Sequence, residues 1–220
     1  MTKEVFSLKE AIDLIKDGAT VMVGGFLECG VPNKLLGEMV SSNLSDITLV
    51  SNDTSFQTAT KGQLIVNRKV KKVITSHIGT NPETGRQLTS GELDVEIVPM
   101  GTLVERIRAA GAGLGGVLTP TGVGTLIEEG KQTIEIDDKK FIYDKPIRAD
   151  FALIYGTKVD KFGNVTFNGT TRNFNPVMAT AADTVIVEAD ELVEALDPNE
   201  VIIPGIFVDY IVTSKDEACK

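Results

Sequence analysis

The clearest chemical potential lies in Gly24-Gly25-Phe26-Leu27-Glu28-Cys29-Gly30, three glycines in seven positions between an apolar run and a helix-forming one. Glycine leaves backbone N–H groups uncovered, and a helix that follows can offer its first-turn amides to an anion. The expected chemistry is backbone recognition of a phosphate or carbonyl oxygen, by the loop itself and by the amides of a helix opening at Asn33. Asn52 can both donate and accept, which suits a carboxylate or keto oxygen, and it could equally bond its own turn. Glu28 could orient a substrate, although a loop carboxylate is more often solvated. Cys29 stands near a helix start, a place that favours thiolate chemistry, but the only histidine, His77, is distant in sequence; small-residue packing is the plainer role for Cys29, and a satisfied hydrogen-bonding histidine at a strand end the plainer one for His77. Glu92 follows a glycine and could be presented at a turn, while Glu105 and Arg108 form an i,i+3 pair of structural type. One histidine and two distant cysteines, Cys29 and Cys219, give no metal-ligand spacing.

Presenting such a loop takes a strand before it and a helix after it. The pattern supplies both, with a strand over Thr20 to Val23, a helix over Pro32 to Ser42 and a second strand over Ile47 to Ser51. Upstream, Ser7-Leu8-Lys9-Glu10 has the form of a capping box for a helix over Leu8 to Lys16. Downstream, Val70 to Thr75 and Val95 to Val98 read as strands, and Gly101 to Ala110 as a helix that Gly111 stops. Thr133 to Ile136 and Lys140 to Tyr143 flank Asp137-Asp138 as a β-hairpin. Strand patterning returns at Phe151 to Gly156, Val165 to Phe167, Thr184 to Glu188 and Phe207 to Val212, with a short helix over Pro176 to Ala182. The alternation predicts an α/β fold, a mostly parallel sheet flanked by helices with a small antiparallel flap, as one domain over residues 1–220.

The charge balance, 22 Lys and Arg against 31 Asp and Glu, gives a net charge of −9 and argues against nucleic acid as a partner. The same surplus would repel an anionic ligand unless another chain brought positive charge. Two cysteines suggest no disulfide framework, and a cytoplasmic location is expected. The first residues open straight into the capping box without a signal-peptide pattern, and the apolar runs are far too short for a membrane span.

The glycine loop resembles the signature of the alpha subunits of the family I, or 3-oxoacid, CoA-transferases, with the closest likeness to the bacterial acetate/butyrate-acetoacetate branch. The likeness recurs in the same order in Leu49-Val50-Ser51-Asn52-Asp53, Ser76-His77-Ile78-Gly79-Thr80-Asn81-Pro82, Ser90-Gly91-Glu92-Leu93, the run Gly101 to Arg108, Thr119-Pro120-Thr121-Gly122-Val123-Gly124-Thr125 and Asn173-Phe174-Asn175-Pro176. The resemblance implies an α/β fold shared with sugar-phosphate isomerases, with the active site between an alpha and a beta half. It implies a ping-pong transfer of coenzyme A, itself a substrate with no other cofactor, between short-chain acyl groups such as acetoacetate and acetate, butyrate or succinate. The nucleophile is a glutamate that becomes a glutamyl–CoA thioester. In the family that glutamate lies in a Ser-Glu-Asn-Gly run of the beta half, a run absent here, so the expected partner is a separate beta subunit in a hetero-oligomer such as α2β2.

By the same resemblance Gly24, Gly25, Phe26, Leu27, Glu28, Cys29 and Gly30 are the CoA-binding loop, Asn52 lies near the acyl group, and Arg172 is a candidate contact with ligand or partner. Met100 stands where many members carry a glutamine whose amide helps bind the thioester oxyanion, and methionine cannot donate a hydrogen bond. Three other readings are weighed. A dinucleotide-binding oxidoreductase would need G-x-G-x-x-G after a strand, which neither Gly24, Gly25, Gly30 nor the 111–116 glycines provide. A non-catalytic assembly subunit of the same fold would also lack the nucleophile. A sugar-phosphate isomerase would need acid-base residues that cannot be assigned.

Overall fold

The apolar runs that open after turn residues become strands because each presents alternate side chains to two helical layers. The computed structural model describes residues 2–213. In chain order the elements are β1 (Glu4–Phe6), α1 (Leu8–Asp13), β2 (Thr20–Val23), α2 (Asn33–Ser41), β3 (Ile47–Val50), α3 (Thr60–Val66), β4 (Val70–Thr75), α4 (Pro82–Ser90), β5 (Asp94–Ile97) and α5 (Met100–Gly111). There follow β6 (Val117–Thr119), β7 (Thr133–Ile136), β8 (Lys139–Asp144), β9 (Ala149–Asp160), β10 (Val165–Thr166), α6 (Asn175–Ala179), β11 (Ala182–Val193) and β12 (Tyr210–Thr213).

The main sheet runs β1-β12-β11-β9-β2-β3-β4-β5, with β10 against β9. Every pair in the series is parallel, and only β10 is antiparallel. The chain builds outward from β2 to β5, then crosses back to place β9 on β2's other side, with Val21 opposite both Leu49 and Phe151. The strand order therefore switches at β2, and α/β sheets bind ligands outside the carboxyl ends of strands at such a point. One face of the sheet, with Met22, Val50, Ala152 and Ile154, packs on Leu103 and Ile107 of α5 and Val177 and Met178 of α6. The other, with Val21, Val23, Leu49 and Leu153, packs on α1, α2 and α3 through Ile12, Leu35, Leu36, Met39, Leu64 and Ile65.

The capping box forms, with Ser7 and Glu10 exchanging hydrogen bonds, although α1 ends at Asp13, three residues before the expected end. The flap has three strands, β6-β8-β7, and its Asp137-Asp138 turn has both residues at positive φ, 51° and 57°. Helices α3 and α4 were not evident in the sequence for a physical reason: each carries a glycine, α3 buries Lys61 and Gly62 beside the adjacent pair Leu64 and Ile65, and α4 buries only the polar Thr84 and Gln87, so apolar spacing announces a helix in neither. Strands β9 and β11 run 12 residues each, well past the predicted segments, because their mutual pairing continues from Ala149–Ala182 to Asp160–Val193 through polar positions.

Candidate active site

The carboxyl ends of four neighbouring strands converge on a cleft of about 290 Å³. Phe26 and Leu27 follow β2, Asn52 and Asp53 follow β3, Ser76, His77 and Thr80 follow β4, and Met100 follows β5 as the first residue of α5. Parallel strands set this up without help from local sequence, since all release their loops on one edge. Phe26, Leu27, Asn52 and Met100, predicted from three separated segments, are thus brought to one place. Phe26 and Met100 are exposed apolar walls, whereas Asn52 is buried at the base.

Asn52 bonds its own turn and also lines the cleft. Its Nδ2 donates to Asp53 Oδ2 at 3.0 Å, and the Ser76 hydroxyl lies 3.0 Å from its Oδ1 and 2.7 Å from its carbonyl oxygen. The strand-end turn is satisfied internally, and the amide is left in one orientation on the cleft.

The glycine loop departs from expectation. Gly25 N–H donates to Asn173 Oδ1 at 3.0 Å, Leu27 N–H to Asp53 Oδ2 at 2.8 Å, Gly24 N–H to the Leu153 carbonyl at 3.0 Å, and Phe26 and Cys29 bond each other's backbone. Asn173 Nδ2 donates to the Cys29 carbonyl and Asn175 Nδ2 to the Gly30 carbonyl, at 2.9 and 3.0 Å. A Cβ on Gly24 would lie 1.8 Å from Asn175 Oδ1, and one on Gly30, at φ +64°, would lie 2.3 Å from the Thr171 carbonyl oxygen. The glycines thus admit the chain's own 171–175 segment, which holds the loop from behind. The amides of Gly24, Gly25, Phe26, Leu27 and Cys29 are spent on internal acceptors, and the amide recognition expected of the loop is reduced to Glu28 and Gly30.

The α2 amides are likewise occupied. Glu188, on β11 and nearly buried, accepts from Lys34 N–H at 3.0 Å and Leu35 N–H at 2.8 Å, taking the place foreseen for an external anion. Burial raises its carboxyl to about 7 against the pull of those two amides and of Lys34.

The remaining candidates separate cleanly. Glu28 is exposed, with one carboxylate oxygen bonded to the Ser55 hydroxyl. Cys29 Sγ lies 3.4 Å from Thr170 Oγ1, off the cleft that His77 lines, so the two do not form a dyad. Glu92 sits in a surface network with Arg86 and Arg68 at 2.9 and 3.1 Å, and hydrogen bonds from Arg86 and Ser90 bring its carboxyl down to about 2. Glu105 pairs with Arg108 at 3.1 Å, and Arg172 is exposed. Cys219 lies outside the described residues. Among the described residues no cluster of metal-ligating side chains occurs, and no helix is long and apolar enough to cross a membrane.

Beneath the cleft is an arrangement that the sequence reading missed. Asp53 collects Leu27 N–H, Asn52 Nδ2 and Ser55 N–H at 2.8 to 3.0 Å, and the Lys61 ammonium at 2.9 Å, with both charged side chains buried. Burial works to raise the Asp53 carboxyl, but the Lys61 charge and the donors around it prevail and hold it below the ordinary aspartate value. For Lys61 burial prevails over the attraction of Asp53 and pushes the ammonium down. A lone lysine in a short helix carries no sequence signal for such a role, since most are solvated.

With this geometry in view, comparison with known proteins is decisive. The model of the coenzyme A transferase family matches residues 5–214. The chain belongs to the coenzyme A transferase family. It is 51% identical over 218 residues to the acetate CoA-transferase subunit alpha of Escherichia coli K12, covering 98% of this chain and 99% of that relative. It is 50% identical over 214 residues to the acetoacetyl-CoA:acetate/butyrate CoA transferase alpha subunit of Clostridium acetobutylicum, covering 96% and 98%. Among solved structures, the thioester complex with CoA of an acyl-CoA transferase from E. coli O157:H7 superposes with a TM-score of 0.86 at 22% identity, covering 99% of this chain and 48% of that one. This CoA-transferase chain therefore spans about half the length of that structure. Glutaconate CoA-transferase from Acidaminococcus fermentans gives 0.84 at 22% identity over 96% of this chain and 75% of that one. The likeness at these identities is one of fold, and it agrees with the parallel sheet and its flap.

Proposed function

We propose that this chain is the alpha subunit of a cytoplasmic two-subunit CoA-transferase, assembled with a beta subunit in a form such as α2β2. Its cleft holds the acyl end of an acyl-CoA while the partner supplies the attacking carboxylate. The observation that carries this reading is the state of Asp53, among the described residues the only carboxylate lining the cleft. Three N–H donors occupy its oxygens and a buried ammonium faces them, so it is a poor nucleophile.

In the reaction a partner glutamate attacks the thioester carbonyl and expels the CoA thiolate, forming a mixed anhydride. The thiolate then attacks the glutamyl carbonyl, releases the donor carboxylate and leaves a glutamyl–CoA thioester. An acceptor carboxylate runs the two steps in reverse. This chain contributes placement. Asn52, with one amide hydrogen used on Asp53, has a second for the acyl oxygen, and Phe26, Leu27 and Met100 wall a short acyl chain. Helix α5 opens at Met100 with no side-chain cap, so its first-turn amides are available as donors beside a methionine side chain that cannot donate.

Co-expression with a beta-type chain, incubation with acetoacetyl-CoA, borohydride reduction and mass mapping test the reading. The reduced glutamate is expected on the partner polypeptide. An adduct on this chain, or no adduct in a complex that forms, would overturn it. The assembly-subunit reading predicts a complex whose adduct forms at the same rate when Asn52 is replaced by alanine.

A further inference from the structure

Asp53 links the two walls of the cleft on a single carboxylate. One of its oxygens, Oδ2, receives both the Leu27 amide from the glycine loop and the Asn52 side chain from the end of β3, at 2.8 and 3.0 Å. The other, Oδ1, receives Ser55 N–H at 2.8 Å and faces Lys61 Nζ at 2.9 Å. Leu27 has φ +51° and Ser55 φ +55°, a region that side chains rarely adopt, so both turns need an acceptor to hold them. Lys61, at the start of α3, is completely buried, and the geometry of its contact is poor for a hydrogen bond, so its action on Asp53 is chiefly electrostatic. The other charged or titratable groups that face the pair are Glu28, tied to Ser55 from the glycine loop, and His77, whose backbone bridges Asp53 from the end of β4.

We propose that Asp53, paired with the buried ammonium of Lys61, is the positioning residue of the cleft, fixing the Leu27 turn and the Asn52 amide to each other. An ionised carboxylate is needed because only an acceptor without hydrogens can take Leu27 N–H and Asn52 Nδ2 on one atom and Ser55 N–H on the other. Protonation or replacement by asparagine puts a donor where two donors already point. The inference rests on the CoA-transferase reading for its kinetic consequence but not for its structural one.

The test uses the co-purified two-subunit enzyme with D53N, K61M and the D53N/K61M double variant. Hydrogen exchange of the Leu27 amide is read beside transfer kinetics. In D53N the Leu27 amide is expected to exchange about tenfold faster or more, with strand β2 unaffected. There kcat should fall roughly 10- to 100-fold, with a smaller change in KM, as displaced reacting groups require. In K61M the unpaired carboxylate takes up a proton more readily, so the acid limb of the kcat profile is expected to move upward by about one pH unit or more, with activity recovered at high pH. Should the single variants fail to accumulate, the double variant, which buries no charge, carries the same exchange measurement. An unchanged Leu27 exchange rate in the asparagine variants, or a K61M profile parallel to that of the unaltered enzyme, overturns the proposal. If unaltered enzyme transfers no CoA while the Leu27 exchange responds as stated, the functional reading fails and the positioning role stands.

Discussion

Met100 is 43% exposed on the cleft wall and has no hydrogen to donate, at a position where the family resemblance implies a side-chain amide. Replacing it by glutamine adds a donor beside the first-turn amides of α5. Loss of one oxyanion donor costs about 100- to 1000-fold in kcat elsewhere, so M100Q is expected to raise kcat or shift acyl preference by about tenfold. Steady-state kinetics with acetyl-, butyryl- and acetoacetyl-CoA in the presence of the beta subunit check this. Kinetics unchanged by the substitution with all three donors would remove Met100 from the chemistry. Glu92, by contrast, is held by Arg86 and Ser90 on the surface and has no route to the cleft lining.

At the scale of the element, the glycine loop is a joint between β2 and the 171–175 segment. A methyl group on Gly24 would collide with Asn175 Oδ1, which also accepts from Tyr155 N–H at 3.0 Å and so is not free to withdraw. G24A is therefore expected to destabilise the fold by about 1–3 kcal/mol, as overpacking typically does, measured by urea unfolding. Helix α2 offers a pH test. Its amides are capped by Glu188, whose carboxyl lies near 7 in the folded chain against an ordinary 4.5. With the folded value raised, the stabilising contribution is complete below about 4.5 and is lost as pH rises through about 7. E188Q keeps an acceptor for both amides and does not titrate. Relative to the unaltered chain it is expected to gain stability between those limits, by roughly 3 kcal/mol at most, in thermal unfolding followed across pH. A constant difference between the two curves would show that Glu188 does not titrate in this window.

At the scale of the molecule, a net charge of −9 opposes an anionic CoA, and the cleft lining contains no lysine or arginine. Charge for the CoA phosphates is thus expected from the partner, and the solitary chain is expected to show no acyl-CoA turnover until the beta subunit is added. Turnover at full rate by the solitary chain would contradict the division of labour.

Local features were legible in the sequence because their causes lie within a few residues. The Ser7–Glu10 capping box, the tight acidic hairpin turn and the alternation of strand and helix formed as read, and the helix expected over Gly101 to Ala110 formed as α5, starting one residue earlier and continuing through Gly111 instead of stopping there. Asn52 and Met100 were legible through a family pattern, and the parallel sheet explains why residues so far apart meet. What the loop amides bond to was decided only by tertiary structure, since their acceptors lie 26 residues away for Leu27 and 148 for Gly25, and the α2 cap lies 153 residues from Leu35. Glycine spacing announces backbone that something must approach closely, and it carries no information on whether that something is a ligand or the chain itself. The burial of Lys61 beside Asp53 was likewise set by how α3 packs under the strand ends, because a charge has no periodicity that reveals its counter-ion.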